Sequence, residues 1–109
     1  MTAIDAHATR EVPTGTPARI LKLEGSYDAT DARVASACAL DILREGCRDL
    51  LLDLRDSELT ATGLILLLLR PAHWMRRRHG RLRVRVPADR SLDQALATTG
   101  LAERVEVER

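Results

Sequence analysis

The sequence predicts an α/β fold built on a largely parallel sheet, and three observations predict it. Segments with strict alternation, or with continuous apolar runs, recur along the chain as strands do. Between them lie segments with apolar residues three and four apart, as helices have. Glycines and prolines punctuate the junctions, at Gly25, Gly46, Gly80, Pro87 and Gly100. Helices that alternate with strands imply parallel neighbours joined by right-handed crossovers.

The elements follow in order. Residues 1–18 form an N-terminal strand and turn segment, with His7 to Val12 as a short strand and Pro13-Thr14-Gly15-Thr16-Pro17 as a turn. Residues 19–109 form one domain. Arg19 to Glu24 alternates, with Leu21 and Leu23 on one face and Ile20, Lys22 and Glu24 on the other. Gly25 to Thr30 reads as a loop. Asp31 to Glu45 reads as a helix capped by Thr30 or Asp31, with Ala35, Cys38, Ala39, Ile42 and Leu43 in one stripe. Gly46 ends it. Arg48 to Leu54 is nearly all apolar, the pattern of a central strand buried on both faces.

Arg55 to Thr62 reads as a loop and Gly63 to His79 as a second helix, stopped by Gly80. Pro71 lies inside that helix. It forgoes the bond to the Leu67 carbonyl at a cost of about 3 kcal/mol, so a kink or a break is expected there. Arg81 to Val86 alternates, with Leu82, Val84 and Val86 inward and Arg81, Arg83 and Arg85 outward. Pro87 ends this strand. Ser91 caps a helix from Leu92 to Thr98, closed by Gly100. Arg104 to Glu108 is a last strand with Val105 and Val107 inward.

Composition narrows the function. A chain of 109 residues fits one domain. Seventeen basic and sixteen acidic residues leave a net charge of +1, too little to recruit DNA or an anionic membrane. Phenylalanine is absent and the aromatics are Tyr27 and Trp74, so no stacking platform for single strands exists and the core is aliphatic. The longest apolar run, Leu64 to Leu69, is far short of the roughly 20 residues that span a bilayer. The N-terminal ten residues hold no apolar signal segment. A cytoplasmic protein is expected. Cys38 and Cys47 read as reduced thiols. His7, His73 and His79 are too scattered to hold a metal. No nucleophile, base and orienter stand at recognisable spacing, and no phosphate-binding loop or dinucleotide fingerprint is present, so neither an enzyme nor a cofactor is expected.

Four pieces resemble the STAS domain family, named for sulfate transporters and anti-sigma-factor antagonists. Leu23-Glu24-Gly25-Ser26-Tyr27-Asp28 is similar to its strand-to-loop GELD segment, and Leu50-Leu51-Leu52-Asp53-Leu54 to its central LVLDL strand. Thr60-Ala61-Thr62-Gly63-Leu64 stands where the family has DSSGL or DSTGL, and Thr99-Gly100-Leu101 matches its TGL. The resemblance spans Arg19 to Glu108. It implies a STAS-like (SpoIIAA-like) α/β domain, a four- to five-stranded mixed sheet with helices packed mainly on one face. It also implies a bacterial anti-sigma-factor antagonist that regulates transcription by partner switching. The partner would be an anti-sigma factor of the serine-kinase ATPase type, which phosphorylates the serine after the motif aspartate and is then released. Phosphate adds about −1.5 to −2 charge, which a helix N-terminus tolerates and a partner surface built for the neutral form does not.

The motif departs from the family at the acceptor itself. Thr60 replaces the aspartate and Ala61 the phosphoacceptor serine, and the loop after Asp53 is one residue short. Ala61 has no hydroxyl. A shift in alignment leaves Thr60 or Thr62 as substitute acceptors, although neither follows an acidic residue; both otherwise serve as helix-capping threonines. Asp56-Ser57 lies too far before Gly63 to serve.

The partner-binding face is expected at Tyr27, Asp28, Thr60, Ala61, Thr62, Gly63, Leu64 and Leu66. Leu64, Leu67, Leu68, Pro71 and Met75 can face the sheet, whereas Ile65, Leu66 and Leu69 cannot all join them and form either a covered surface or an exposed docking patch. Arg76-Arg77-Arg78 reads as a solvated helix end, and Arg83 or Arg85 can pair with Glu106 and Glu108 across strands. Asp28 reads as a cap or a partner contact. Two other functions fit the sequence: a small-molecule or nucleotide module that uses the Thr60–Gly63 amides, and a structural subunit or homodimer that associates through the leucine-rich patch.

Overall fold

The computed structural model describes residues 5–11 and 18–108. The chain runs β1 (Asp5–Glu11), β2 (Ala18–Tyr27), α1 (Ala29–Arg44), β3 (Asp49–Leu59), α2 (Ala61–Arg77), β4 (Arg81–Arg85), α3 (Arg90–Thr98), a 3-10 turn (Leu101–Glu103) and β5 (Glu106–Glu108). The five strands form one mixed sheet in sequence order. β1 is antiparallel to β2, and β2, β3, β4 and β5 run parallel. The expected strand at His7 to Val12 is found at Asp5–Glu11, while the Pro13–Pro17 turn lies outside the described residues.

The helices cover one face. Leu21, Leu23, Leu50, Leu52, Leu54, Leu82 and Val84 point from that face into a single core with α1, α2 and α3. The core is aliphatic, and each fully buried leucine contributes about 2 kcal/mol. β3 is buried on both faces as its apolar run requires: Leu50, Leu52 and Leu54 are inaccessible, and Leu51 and Asp53 on the far face are only 2% and 4% exposed. Arg83, in register with Leu51, is held there by Asp49 at 2.9 Å.

Both central strands are longer than their patterns predict. β2 continues to Tyr27 and β3 to Leu59, where loops were expected from Gly25 and Arg55. The cause is a bulge. Lys22 pairs with Asp53 and Glu24 with Asp56, so β3 carries one residue more than β2 in this interval. Arg55 and Asp56 are therefore both exposed, and alternation disappears from the sequence at that point. The bulge is closed internally: the Arg55 N–H donates to Asp53 Oδ1 at 3.2 Å, and Ser57 Oγ donates to the Leu54 carbonyl at 2.7 Å.

The helix starts also differ by a few residues. α1 is capped by Asp28 rather than Thr30 or Asp31, and α3 by Asp89 rather than Ser91. In each case the aspartate accepts backbone N–H bonds that the later residue cannot reach from inside the helix. Ser91 instead donates its hydroxyl to Asp89 at 2.6 Å. Cys38, assigned to the inward stripe, is only partly buried; Ala32, Ser36 and Leu40 are buried beside it. α2 runs through Pro71 without a break, with the ring buried in the core. β5 is shorter than expected because the 3-10 turn takes up the residues after Gly100.

Candidate functional site

The site is where two parallel strands hand over to two helices. Tyr27 and Leu59 end β2 and β3 in register, so their successors Asp28 and Thr60 stand side by side as the caps of α1 and α2. In an open parallel sheet this carboxyl edge is where binding groups gather, because loops and helix N-termini converge there.

Asp28 makes a reciprocal box. The Asp31 N–H donates to Asp28 Oδ1 at 2.8 Å, and the Asp28 N–H donates to Asp31 Oδ2 at 3.2 Å. Thr60 takes one bond: the Gly63 N–H donates to its Oγ1 at 3.1 Å. Ala61 is thus the first residue of α2.

A shallow depression of about 610 Å³ lies between the two caps, lined by Ser26, Tyr27, Asp28, Asp31, Glu58, Leu59 and Thr60. Three of these residues carry carboxylates, and Ser26 donates to Glu58 at 3.3 Å. The partial positive charge of the helix N-termini favours Asp28 and Asp31 where they stand. The depression therefore offers hydrogen-bond acceptors and negative charge. It suits a cationic or N–H-rich protein surface better than a phosphate.

The expected site residues take different positions. Asp28, Thr60 and Thr62 are exposed, and Ala61 and Leu66 are half-buried. Tyr27 is 6% exposed and belongs to the core, although it also lines the depression. Gly63 is buried and Leu64 is fully so, which places them beneath the surface rather than on it. The leucine run divides as its spacing requires: Leu64, Leu67 and Leu68 face the core, Ile65 and Leu66 are intermediate, and Leu69 is 43% exposed. Val34 on the neighbouring α1 is 47% exposed.

Asp31, Ser26 and Glu58 were not anticipated as residues of the site. The Asp28–Asp31 spacing is a readable capping signal, whereas Glu58 was hidden in a segment without alternation. Ser57 is 6% exposed and its hydroxyl donates to the Leu54 carbonyl. Among the described residues no group of His, Cys, Asp or Glu is placed to hold a metal ion, and no helix is long and apolar enough to cross a membrane.

No family model matches the sequence, and no characterised protein matches it. Solved structures do match. A candidate anti-sigma factor antagonist from Thermotoga maritima superposes with a TM-score of 0.72 at 16% identity, covering 92% of this chain and 84% of that one. The Bacillus cell fate determinant SpoIIAA in its phosphorylated form gives a TM-score of 0.66 at 13% identity, over 94% and 92% of the two chains. Unphosphorylated SpoIIAA, an anti-sigma factor antagonist, gives 0.63 at 12% identity, over 94% and 88%. The fold is that of the STAS domain. Thr60 caps α2, which opens at Ala61, and Thr99-Gly100-Leu101 closes α3 with Gly100 at φ 77°.

Proposed function

We propose that this chain is a STAS-domain regulator of the anti-sigma-factor-antagonist kind, a cytoplasmic protein without an enzymatic activity of its own. It binds a serine-kinase-type anti-sigma factor through Asp28, Thr60, Thr62 and Leu66, at the edge where α1 and α2 begin. Tyr27, Gly63 and Leu64 shape that edge from below. The observation that carries the reading is Ala61. It occupies the first position of α2, between the capping Thr60 and the exposed Thr62, and the motif resemblance aligns it with the family's phosphoacceptor serine. A chain with alanine there binds its partner but is not released by phosphorylation at that position. Of the two threonines that could substitute as acceptor, Thr62 is exposed, whereas the Thr60 oxygen accepts the Gly63 N–H in the cap.

The acidic lining of the depression argues against an anionic ligand on the Thr60–Gly63 amides, and so favours the protein partner over the nucleotide module. The test is affinity capture with the tagged protein from its own cytosol, run beside Leu66→Glu. Recovery of a kinase-like ATPase that Leu66→Glu loses, with the bait free of phosphate at Thr60 and Thr62, supports the reading. Absence of any such ATPase, or equal recovery by both baits, overturns it.

A further inference from the structure

Arg33, Arg70, Arg76 and Arg90 on the helices are exposed and have no carboxylate partner among the described residues, whereas the arginines of the sheet differ. Those on the sheet are neutralised: Arg81 pairs with Glu106, Arg83 with Asp49 at 2.9 Å, Arg85 with Glu108 at 3.7 Å, Arg55 with Asp53 at 3.0 Å and Arg19 with Glu45 at 2.6 Å. Arg48, Arg77 and Arg78 are exposed, and among the described residues no carboxylate pairs with any of them. These three converge with His73, Trp74 and His79 on a concavity of about 590 Å³ at the C-terminal end of α2. No carboxylate lines it. The acids that flank it in sequence are already engaged, Glu45 by Arg19, Asp49 by Arg83 and Asp41 by Arg44.

Two features hold this basic set in place. The Arg78 guanidinium carbon lies 4.4 Å from the centroid of the Trp74 ring, and that of Arg44 lies 5.8 Å away, so the indole fixes Arg78 before any ligand arrives. The helix end is also unusual. The Gly80 N–H donates to the Met75 carbonyl at 2.9 Å, the long bond of a Schellman ending, and the residue before it must be left-handed. That residue is His79, at φ 54°, where glycine is the ordinary occupant. His79 thus carries a side chain in a backbone conformation with a steric cost, and it lines the concavity.

Guanidinium groups without counter-charge, on two converging elements, match the oxygens of linked phosphates, because each planar fork can donate to two oxygens at once. We propose that this concavity binds a polyphosphate chain, either inorganic or carried by a nucleotide. Its volume lies within the roughly 300–1,000 Å³ of small-molecule sites. Single-stranded nucleic acid is disfavoured, since Tyr27 is buried and Trp74 is occupied by Arg78. The site stands about 25 Å from Thr60, the length of a helix of this size, and does not depend on the partner face.

Isothermal titration of the whole protein with inorganic triphosphate, ATP and a single-stranded oligonucleotide tests this, with circular dichroism to check that each variant is folded. Triphosphate binds saturably at one site. Arg48→Gln and Arg77→Gln, both at exposed positions, each weaken it by about tenfold. Arg33→Gln, near the other end of α1, leaves it unchanged. ATP binding equal to triphosphate identifies the phosphate chain as the recognised group, and tighter ATP binding adds a contact from the base; both support the proposal. Absence of saturable binding by triphosphate and ATP, weakening by Arg33→Gln as large as that by Arg48→Gln, or binding of the oligonucleotide alone overturns it.

Discussion

Thr60 Oγ1 accepts the Gly63 N–H at 3.1 Å, so Thr60 is the cap of α2. No acidic residue lies in the first turn of that helix. Thr60→Ala should cost about 1 kcal/mol, because it orphans an N–H at a helix start. Thr60→Asp should retain or raise stability, since aspartate caps as well and its charge complements the helix N-terminus. Urea unfolding of the two variants checks this. Equal loss in both would show that the cap bond contributes nothing.

Ser36 gives a prediction of the opposite sign. Its hydroxyl is buried on α1 without a hydrogen-bond partner among the described residues. Ser36→Ala removes an unsatisfied polar atom and improves helix propensity, so it should stabilise the protein by about 1 kcal/mol. Thermal unfolding should show a raised midpoint. A lowered midpoint would reveal a bond to that hydroxyl.

Asp53 makes acid stability depend on Arg55. The Arg55 guanidinium donates to Asp53 through Nε at 3.1 Å and Nη2 at 3.0 Å and holds its carboxyl below the ordinary carboxylate range, against the opposing effect of burial. The folded state thus favours the charged form. The stability this supplies is complete above the unfolded value, near pH 4, and is lost as pH falls through the lower folded value. Arg55→Gln removes the main cause, so its acid-unfolding midpoint should move to higher pH while the change at high pH stays smaller than that of Asp53→Ala. Coincident acid transitions for Arg55→Gln and the parent would refute the coupling.

Gly80 is fixed by space. A Cβ there would lie 2.5 Å from Met75 Sδ and 3.1 Å from the Arg48 carbonyl oxygen. Met75 is 2% exposed and cannot swing into solvent. Gly80→Ala should cost about 1–3 kcal/mol by overpacking. Gly25→Ala, at φ 98° with open space around its Cβ position, meets backbone strain alone and serves as the comparison in the same unfolding assay.

The sheet was legible where burial is regular and obscure where it is not. Leu50 to Leu54 shows a central strand because both faces are covered, and Arg81 to Val86 because one face is. The expected pairing of Arg83 and Arg85 with the last strand is found at Glu108. Arg55 to Leu59 reads as a loop because the bulge puts two charged residues outward in succession, a consequence of pairing with β2 that no local pattern carries. Glu58 was lost from the site for that reason. Pro71 shows the converse: its local penalty predicts a kink or a break, and of the two the break is absent, since α2 runs through it with the ring buried. The basic concavity was legible as Arg76-Arg77-Arg78 but not as a site, since Arg48 and Trp74 join it only through the fold.

Ala61 is the position at which sequence, structure and proposed function can be tested together. Ala61→Ser introduces a hydroxyl at the first residue of α2, where serine is well tolerated, so stability should change by no more than about 0.5 kcal/mol. Incubation with the captured kinase and ATP should leave the parent protein unlabelled at this position and label Ala61→Ser. The phosphate then adds about −1.5 to −2 charge at the residue after Thr60, which itself lines the acidic depression. The labelled variant should therefore release the kinase, while the parent stays bound in the same mixture. Labelling of the parent at Thr62 with release would mean that the switch has moved by one residue. Labelled Ala61→Ser that remains bound would mean that this face is not where the partner sits.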